Sequence, residues 1–216
     1  MKIVLFAAAI SCLSLSAIAQ QSETSHEAKS TKIGKISVTA FNQINNRGNE
    51  MVNAITPTKT TLSSTDLRLF NQVVRGGMRQ LAISQAVLNK ATNEQVRMLA
   101  QSEVEEQTNL SKKLTEIAQA KGITLPTDLD AQTQTLLGRI ESMSSEEIDM
   151  IYLEEGGIKG HQLLQATMLS VQRISKDATM KKLASATLPV IRTHLMISTD
   201  VRTAMSGSRR KNSQTR

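Results

Sequence analysis

This chain of 216 residues has one cysteine, no tryptophan, one tyrosine and three phenylalanines. The cysteine, Cys12, lies in an apolar N-terminal segment, so a chain that has lost that segment has neither a disulfide nor a thiol nucleophile. Stability then rests on packing. Aromatic residues make up 2% of the sequence, which leaves no platform on which nucleic-acid bases could stack. No later stretch reaches the roughly 20 apolar residues that a membrane-spanning helix needs, so none is expected in the mature chain. No helix-forming segment carries Glu-x-x-His, which argues against a conventional di-iron carboxylate oxidase.

Residues 1–19 read as a signal peptide: a positive charge at Lys2, an apolar run from Ile3, and a close on Ala17-Ile18-Ala19, with the cut after Ala19. The implied address is the bacterial periplasm or cell envelope. The alternative is a lipoprotein cut before Cys12 at Ala9-Ile10-Ser11-Cys12, but it leaves a short apolar segment and places alanine where a larger aliphatic is usual. The formal charge is +7, of which Lys2 holds one and Arg209, Arg210, Lys211 and Arg216 hold four. Between Ser64 and Met205, sixteen Lys plus Arg stand against sixteen Asp plus Glu, so the foldable part is neutral and lacks the basic face of a specific nucleic-acid binder. Residues 206–216 read as a disordered basic tail able to make weak contact with anionic envelope components.

Residues 20–62 are rich in Ser, Thr, Asn, Gln and Lys without a sustained apolar period, and read as a flexible polar arm. Within it Lys35 to Phe41 alternates like a strand that has no evident partner, and Glu23-Thr24-Ser25-His26 imitates a metal motif on a tether that cannot preorganise ligands. Residues 63–205 read as a helical domain. The first helix buries Leu67, Phe70, Val74, Met78, Leu81 and Leu88 at steps of three and four. Thr92-Asn93-Glu94-Gln95 has capping-box form and opens a second helix that stops at Lys121-Gly122, with Pro126 beyond. The turn between the two is short, so they form an antiparallel hairpin. A crossover with a short amphipathic segment from Leu129 to Met143 leads to a second capping box, Ser144-Ser145-Glu146-Glu147, and a third helix. A break at Ser175 to Asp177 precedes the fourth. The fold class is all-α: two antiparallel hairpins joined by a crossover containing a short helix, a four-helix bundle of ferritin-like connectivity.

Paired glycines recur in the first and third helices, Arg75-Gly76-Gly77-Met78 and Glu155-Gly156-Gly157-Ile158. Each costs a helix roughly 1 kcal/mol against alanine, so each needs a reason, either close approach of a neighbouring helix or room for a ligand. With Val96-Arg97-Met98-Leu99-Ala100-Gln101, Lys121-Gly122-Ile123-Thr124-Leu125-Pro126 and the stretch Leu183 to Leu195, they carry a resemblance from about Thr65 to Met205. The chain resembles the exported proteins grouped as domain-of-unknown-function family 4142, described as outer-membrane or periplasmic and assigned a ferritin-like fold. The resemblance implies an acidic residue after the first glycine pair and an Asp-His pair in the second helix, where this chain has Gln80 and Glu106-Gln107. It implies a further Asp-His in the third helix, where Gly160-His161 stands.

The only histidines in the helical domain are His161 and His194, each among apolar residues. On the second helix Glu103 and Gln107 interrupt the apolar stripe between Leu99 and Leu110. Glu154, Ile158 and His161 fall at i, i+4 and i+7, on one side of an ordinary α-helix. Glu105 and Glu106 read as a solvated face. The first reading is a non-enzymatic structural or binding protein in which each imidazole donates to a helix carbonyl or a neighbouring polar group. For His194 the Ser185 carbonyl, freed by Pro189, is the partner expected. In this reading no cofactor is expected. The rival is a protein that binds a small molecule or a transition metal at a degenerate ferritin-like site, with His161, His194, Glu154 and Glu103 as the metal ligands. Imidazoles more than about 10 Å apart could not share an ion, because ligand bonds are near 2 Å. Export is tested by terminal sequencing: protein recovered from the periplasm is expected to begin at Gln20, and a chain that keeps Met1 or carries lipid on Cys12 contradicts the reading.

Overall fold

The computed structural model describes residues 30–214, so the signal segment, the arm before residue 30 with His26, and the last two residues lie outside it. The described chain is mostly helical, as its periodicity predicts. After a two-residue hairpin, β1 (Lys32–Ile33) and β2 (Ile36–Ser37), come α1 (Val38–Asn53), α2 (Ser64–Leu88) and α3 (Glu94–Lys121). Next are α4 (Ala131–Ser142), α5 (Ser145–Ile151), a π-helical stretch (Tyr152–Gly160), α6 (His161–Ile174) and α7 (Ala178–Gln214).

The caps show why the long helices begin and end where they do. Asn93, not Thr92, caps α3: its side chain accepts from the N–H groups of Gln95 and Val96. Thr92 instead donates its hydroxyl and N–H to Asp149. Gly122 closes α3 in the left-handed region at φ 65°, which favours glycine. Ser144 gives its N–H and hydroxyl to Glu147, the second expected capping box. On α2 the buried face runs through Leu69, Phe70, Val73, Gly77, Gln80, Ser84 and Val87, whereas Leu67 at its start is exposed.

Two readings are corrected. The described part of the arm is structured from residue 32 to residue 53. Gly34, at φ 57°, turns β1 back on β2, so Ile36 and Ser37 have a strand partner just upstream, while the rest of the alternating stretch, Val38 to Phe41, is the start of α1 and not a strand. α1 then packs against α3 and α7. Its buried stripe is Phe41, Asn45, Gly48 and Val52, and the amide and the glycine in it hide the helical period from any hydropathy pattern. Nor does the chain break at Ser206-Gly207-Ser208. α7 runs on through Gln214, because one glycine, at about 1 kcal/mol, does not stop a helix already 28 residues long at Met205.

α2 lies along α3, α6 lies along α7, and α2 also meets α6. The interior divides into two apolar clusters. One holds Phe70, Val74, Leu110, Leu114, Leu164, Met168, Leu183 and Ile191. The other holds Ile83, Val96, Leu99, Ile148, Leu153 and Ile197. On each of the four long helical segments the residues between the two clusters are polar: Gln80, then Glu103 and Gln107, then His161, then His194. A polar layer therefore crosses the middle of the core.

Near the start of α7 a separate buried ion pair ties three elements together. Asp177 accepts from Lys121 Nζ at 2.5 Å, from the Thr60 hydroxyl at 3.1 Å and from the Met180 N–H at 3.0 Å. Burial alone would raise the Asp177 carboxyl, but these donors hold it below the ordinary value. A carboxyl lowered on folding stabilises the fold above its unfolded pKa, about 3.9, and that contribution disappears as the pH falls through the folded value. Urea midpoints are therefore expected to hold from pH 7 to about pH 5 and to drop below pH 4. Asp177→Asn should flatten this acid limb and cost roughly 3 kcal/mol at pH 7, because Lys121 is left buried without its counter-charge. An unchanged acid limb in the variant contradicts the assignment.

Candidate metal centre

Glu103 is carried into the polar layer by α3, one helical turn beyond Leu99, and is 1% exposed. His161 is the first residue of α6, directly after the π-helical stretch, and His194 lies on α7; both are buried. The Glu103 Oε2 atom is 3.0 Å from His161 Nε2 and 3.0 Å from His194 Nδ1. The ring centroids of the two imidazoles are 5.2 Å apart, and one ligand atom from each of the three residues falls within 4.8 Å of the others. Three of the four metal-site residues read from sequence therefore meet.

Glu154 does not join them. It pairs with Arg202 at 2.9 Å and Lys159 at 3.6 Å on the partly exposed outer side. The reason is the π-helical stretch between Glu154 and His161. Its wider turn breaks the i, i+4, i+7 alignment that an α-helix would have maintained.

The outer nitrogen of each imidazole has its own acceptors. His161 Nδ1 lies 3.0 Å from the carbonyls of both Gly156 and Gly157. Two carbonyls at that distance require a hydrogen on Nδ1; the amide nitrogen of Gln80 is farther, at 3.3 Å, and donates to the Gly156 carbonyl. His194 Nε2 faces Asn45 Oδ1 at 3.2 Å and Glu106 Oε1 at 3.1 Å, so it too carries a hydrogen. The Ser185 carbonyl is not its partner. Glu106, read as solvated, has a side chain only 12% exposed and touches His194, while Glu105 is exposed as expected. Asn45 and Glu106 are the two functional contacts that sequence reasoning missed, since both depend on which distant helix packs alongside.

With both outer nitrogens assigned as donors, the inner nitrogens aim their remaining valence at one carboxylate oxygen. Lone pairs cannot face each other at 3.0 Å without something between them. Each inner nitrogen either holds a second proton or shares a cation with Glu103. Electrostatics agree. Burial alone would raise Glu103, but the His161 and His194 imidazoles hold it well below the carboxylate range. Burial alone would lower His194, yet the Glu106 and Glu103 carboxylates push it up to about 10. Burial, with Glu103 and Glu106 nearby, raises the Tyr152 phenol above its usual value, so it is a neutral donor or acceptor to Ser84 at 3.2 Å.

The donor set fits a metal ion. Two imidazole nitrogens and a carboxylate oxygen are ligands for iron, copper or zinc, and three protein ligands leave positions open. Ligands at 2.0–2.2 Å and at right angles to one another lie about 3 Å apart, the spacing found between Glu103 Oε2 and each of the two imidazole nitrogens. Gln107 donates to the other oxygen of Glu103 at 2.9 Å, and each histidine has the outer acceptor that metal-bound imidazoles use to fix their tautomer. Around the ligands three buried oxygens, Gln80 Oε1, Gln107 Oε1 and Ser198 Oγ, have no protein partner. Such atoms call for ordered water or an ion. The neighbouring cavity, lined by Gln107, Leu110, Leu164, Met168 and Ile191, has a volume of about 40 Å³. Pockets for organic ligands measure roughly 300–1,000 Å³, so this cavity has room for a few waters but not for such a ligand.

The glycines now have their reason. A Cβ on Gly77 would press on Gln107 Oε1, one on Gly157 would collide with Ser198, and one on Gly160 would collide with Gln80. These glycines admit polar side chains into the core. In contrast, nothing stands within 4 Å of a Cβ built on Gly138 in α4. Gly138→Ala is accordingly expected to raise stability by up to about 1 kcal/mol, and Gly157→Ala to lower it by about 1–3 kcal/mol. Chemical denaturation of the two variants checks this, and equal effects would remove the explanation.

A family model described as a domain of unknown function, DUF4142, matches residues 53–200. No curated protein and no solved structure matches the chain.

Proposed function

The chain belongs to the DUF4142 family, and on that footing we propose that it is an exported metal-binding protein holding one divalent transition-metal ion in the core of a ferritin-like bundle. Glu103, His161 and His194 are the ligands, and the site works in the periplasm or cell envelope. The observation that carries the proposal is the pair of imidazoles with their outer nitrogens already donating and their inner nitrogens both 3.0 Å from Glu103 Oε2. The pairing of α2 with α3 and of α6 with α7, joined by a crossover containing α4, supports the ferritin-like connectivity. The signal segment supports export. The bound ion supplies a Lewis-acid centre with exchangeable positions. Around it the chain's own groups have defined parts: Gln107 orients Glu103, the Gly156 and Gly157 carbonyls orient His161, and two apolar clusters keep bulk water away.

A second reading has an observation of its own. Because Glu103 is ionised and His194 is protonated near neutral pH, the buried network could act as a purely structural clamp between α3, α6 and α7. Metal analysis separates the two. The protein is stripped with chelator, equilibrated in turn with Zn(II), Co(II) and Fe(II), and desalted. One equivalent of ion is expected in the native chain and in Glu154→Ala, and less than a tenth in Glu103→Ala and His161→Ala. Retention by all four, or uptake by none under any of the ions, leaves the clamp as the function of the cluster.

A further inference from the structure

The family match begins at residue 53, which is also the last residue of α1. Yet α1 supplies two of the groups that surround His194. Phe41 lies against the imidazole with ring centroids 5.1 Å apart, and Asn45 presents Oδ1 to Nε2 at 3.2 Å. The Asn45 amide nitrogen donates to Ser102 Oγ at 2.5 Å, and the Ser102 hydroxyl donates in turn to Glu106 Oε1 at 3.2 Å. Glu106 Oε1 is itself 3.1 Å from His194 Nε2. The ring of four groups closes with every donor facing an acceptor only if Nε2 carries the hydrogen. In that tautomer the lone pair sits on Nδ1, toward Glu103.

The orientation of the Asn45 amide is fixed by the same ring. Turned over, its NH₂ would face the Nε2 hydrogen, and its oxygen could accept from Ser102 only by taking the hydrogen that Glu106 receives. Asn45 and Ser102 are both buried, and Gly48, one turn along α1, lets the helix sit against α7, where a Cβ would collide with Val190. Beside them lies the groove between α1 and α3, walled by Asn42, Asn49, Gln101 and Glu106 among others, which has Asn45 and Ser102 in its lining.

We infer that Asn45 is a positioning residue of the metal centre: through the Asn45–Ser102–Glu106 ring, a helix outside the family-matched span holds His194 with Nδ1 presented to the ion. The inference rests on the metal-binding reading. Outer hydrogen bonds to a metal-bound histidine are typically worth 10- to 100-fold in affinity.

The test uses the full mature chain and Co(II), whose visible spectrum reports ligand geometry. Asn45→Leu keeps the branched shape and the number of side-chain heavy atoms but removes both hydrogen bonds. It should weaken cobalt binding by about 10-fold or more and alter the visible band. A residue that merely packs α1 would lower the melting temperature and leave the spectrum of the loaded protein unchanged. If Asn45→Leu does not fold, Ser102→Ala decides: it preserves the α1 packing, and weaker binding with a shifted band is expected. Native affinity and spectrum in Asn45→Leu, or in Ser102→Ala should the first not fold, overturn the inference while the metal reading stands. A native chain that takes up no cobalt overturns both.

Discussion

A single carboxylate, Glu103, sets the terms for the middle of this molecule. It lies among helices whose other buried faces are aliphatic, and an ionised carboxylate removed from water costs several kcal/mol unless donors or counter-charges surround it. Three side chains meet that cost: His161 and His194 on one oxygen, and Gln107 on the other. Each helper brings its own demand. His161 needs the carbonyls of Gly156 and Gly157, and a regular α-helix would engage those carbonyls with its own N–H groups four residues on. In the π-helical stretch both carbonyls lie 3.0 Å from Nδ1 of the ring. His194 needs acceptors on its far side, which come from α1 and α3. The wide turn of the third helical segment, the glycines and the fifth helix laid against the bundle therefore all serve one buried charge.

Space is the second constraint. Amide and hydroxyl side chains reach the polar layer only where the facing helix has no Cβ, so Gly77 stands opposite Gln107, Gly157 opposite Ser198 and Gly160 opposite Gln80. Glycine weakens a helix by roughly 1 kcal/mol. Three of them are tolerated because the apolar clusters above and below, from Phe70 and Met168 at one end to Leu99 and Leu153 at the other, supply the packing that holds the helices.

Local chemistry was legible in the sequence and long-range geometry was not. The end of α3 at Gly122, the box at Ser144 and Glu147, and the short turn between α2 and α3 depend on neighbours a few residues apart, and each was readable. So were Glu103, His161 and His194, because a polar residue inside an apolar stripe is conspicuous. Glu154 was misplaced because the expected alignment assumed 3.6 residues per turn through nine residues that do not follow it. α1 reads as a flexible arm in sequence because its inward face includes Asn45 and Gly48, which a hydrophobic period does not register. Glu106 was read as solvated since its sequence neighbours are polar; only the packing of α7 and α1 around it shows otherwise.

The amides at Gln80 and Gln107 occupy positions where the resemblance implied an acid and a histidine, and charge explains why they suit this site. Glu103 and Glu106 contribute two negative charges, and neutral imidazoles contribute none. One divalent ion would bring the buried group to neutrality, which is the charge the proposed centre calls for. An acid at Gln80 would add a further negative charge and call for a further cation, since unpaired buried charge is strongly disfavoured. Both amides instead donate, Gln107 to Glu103 and Gln80 to the Gly156 carbonyl beside His161. They hold Glu103 and the acceptor of His161 from outside, and they do so without altering the charge of the cluster.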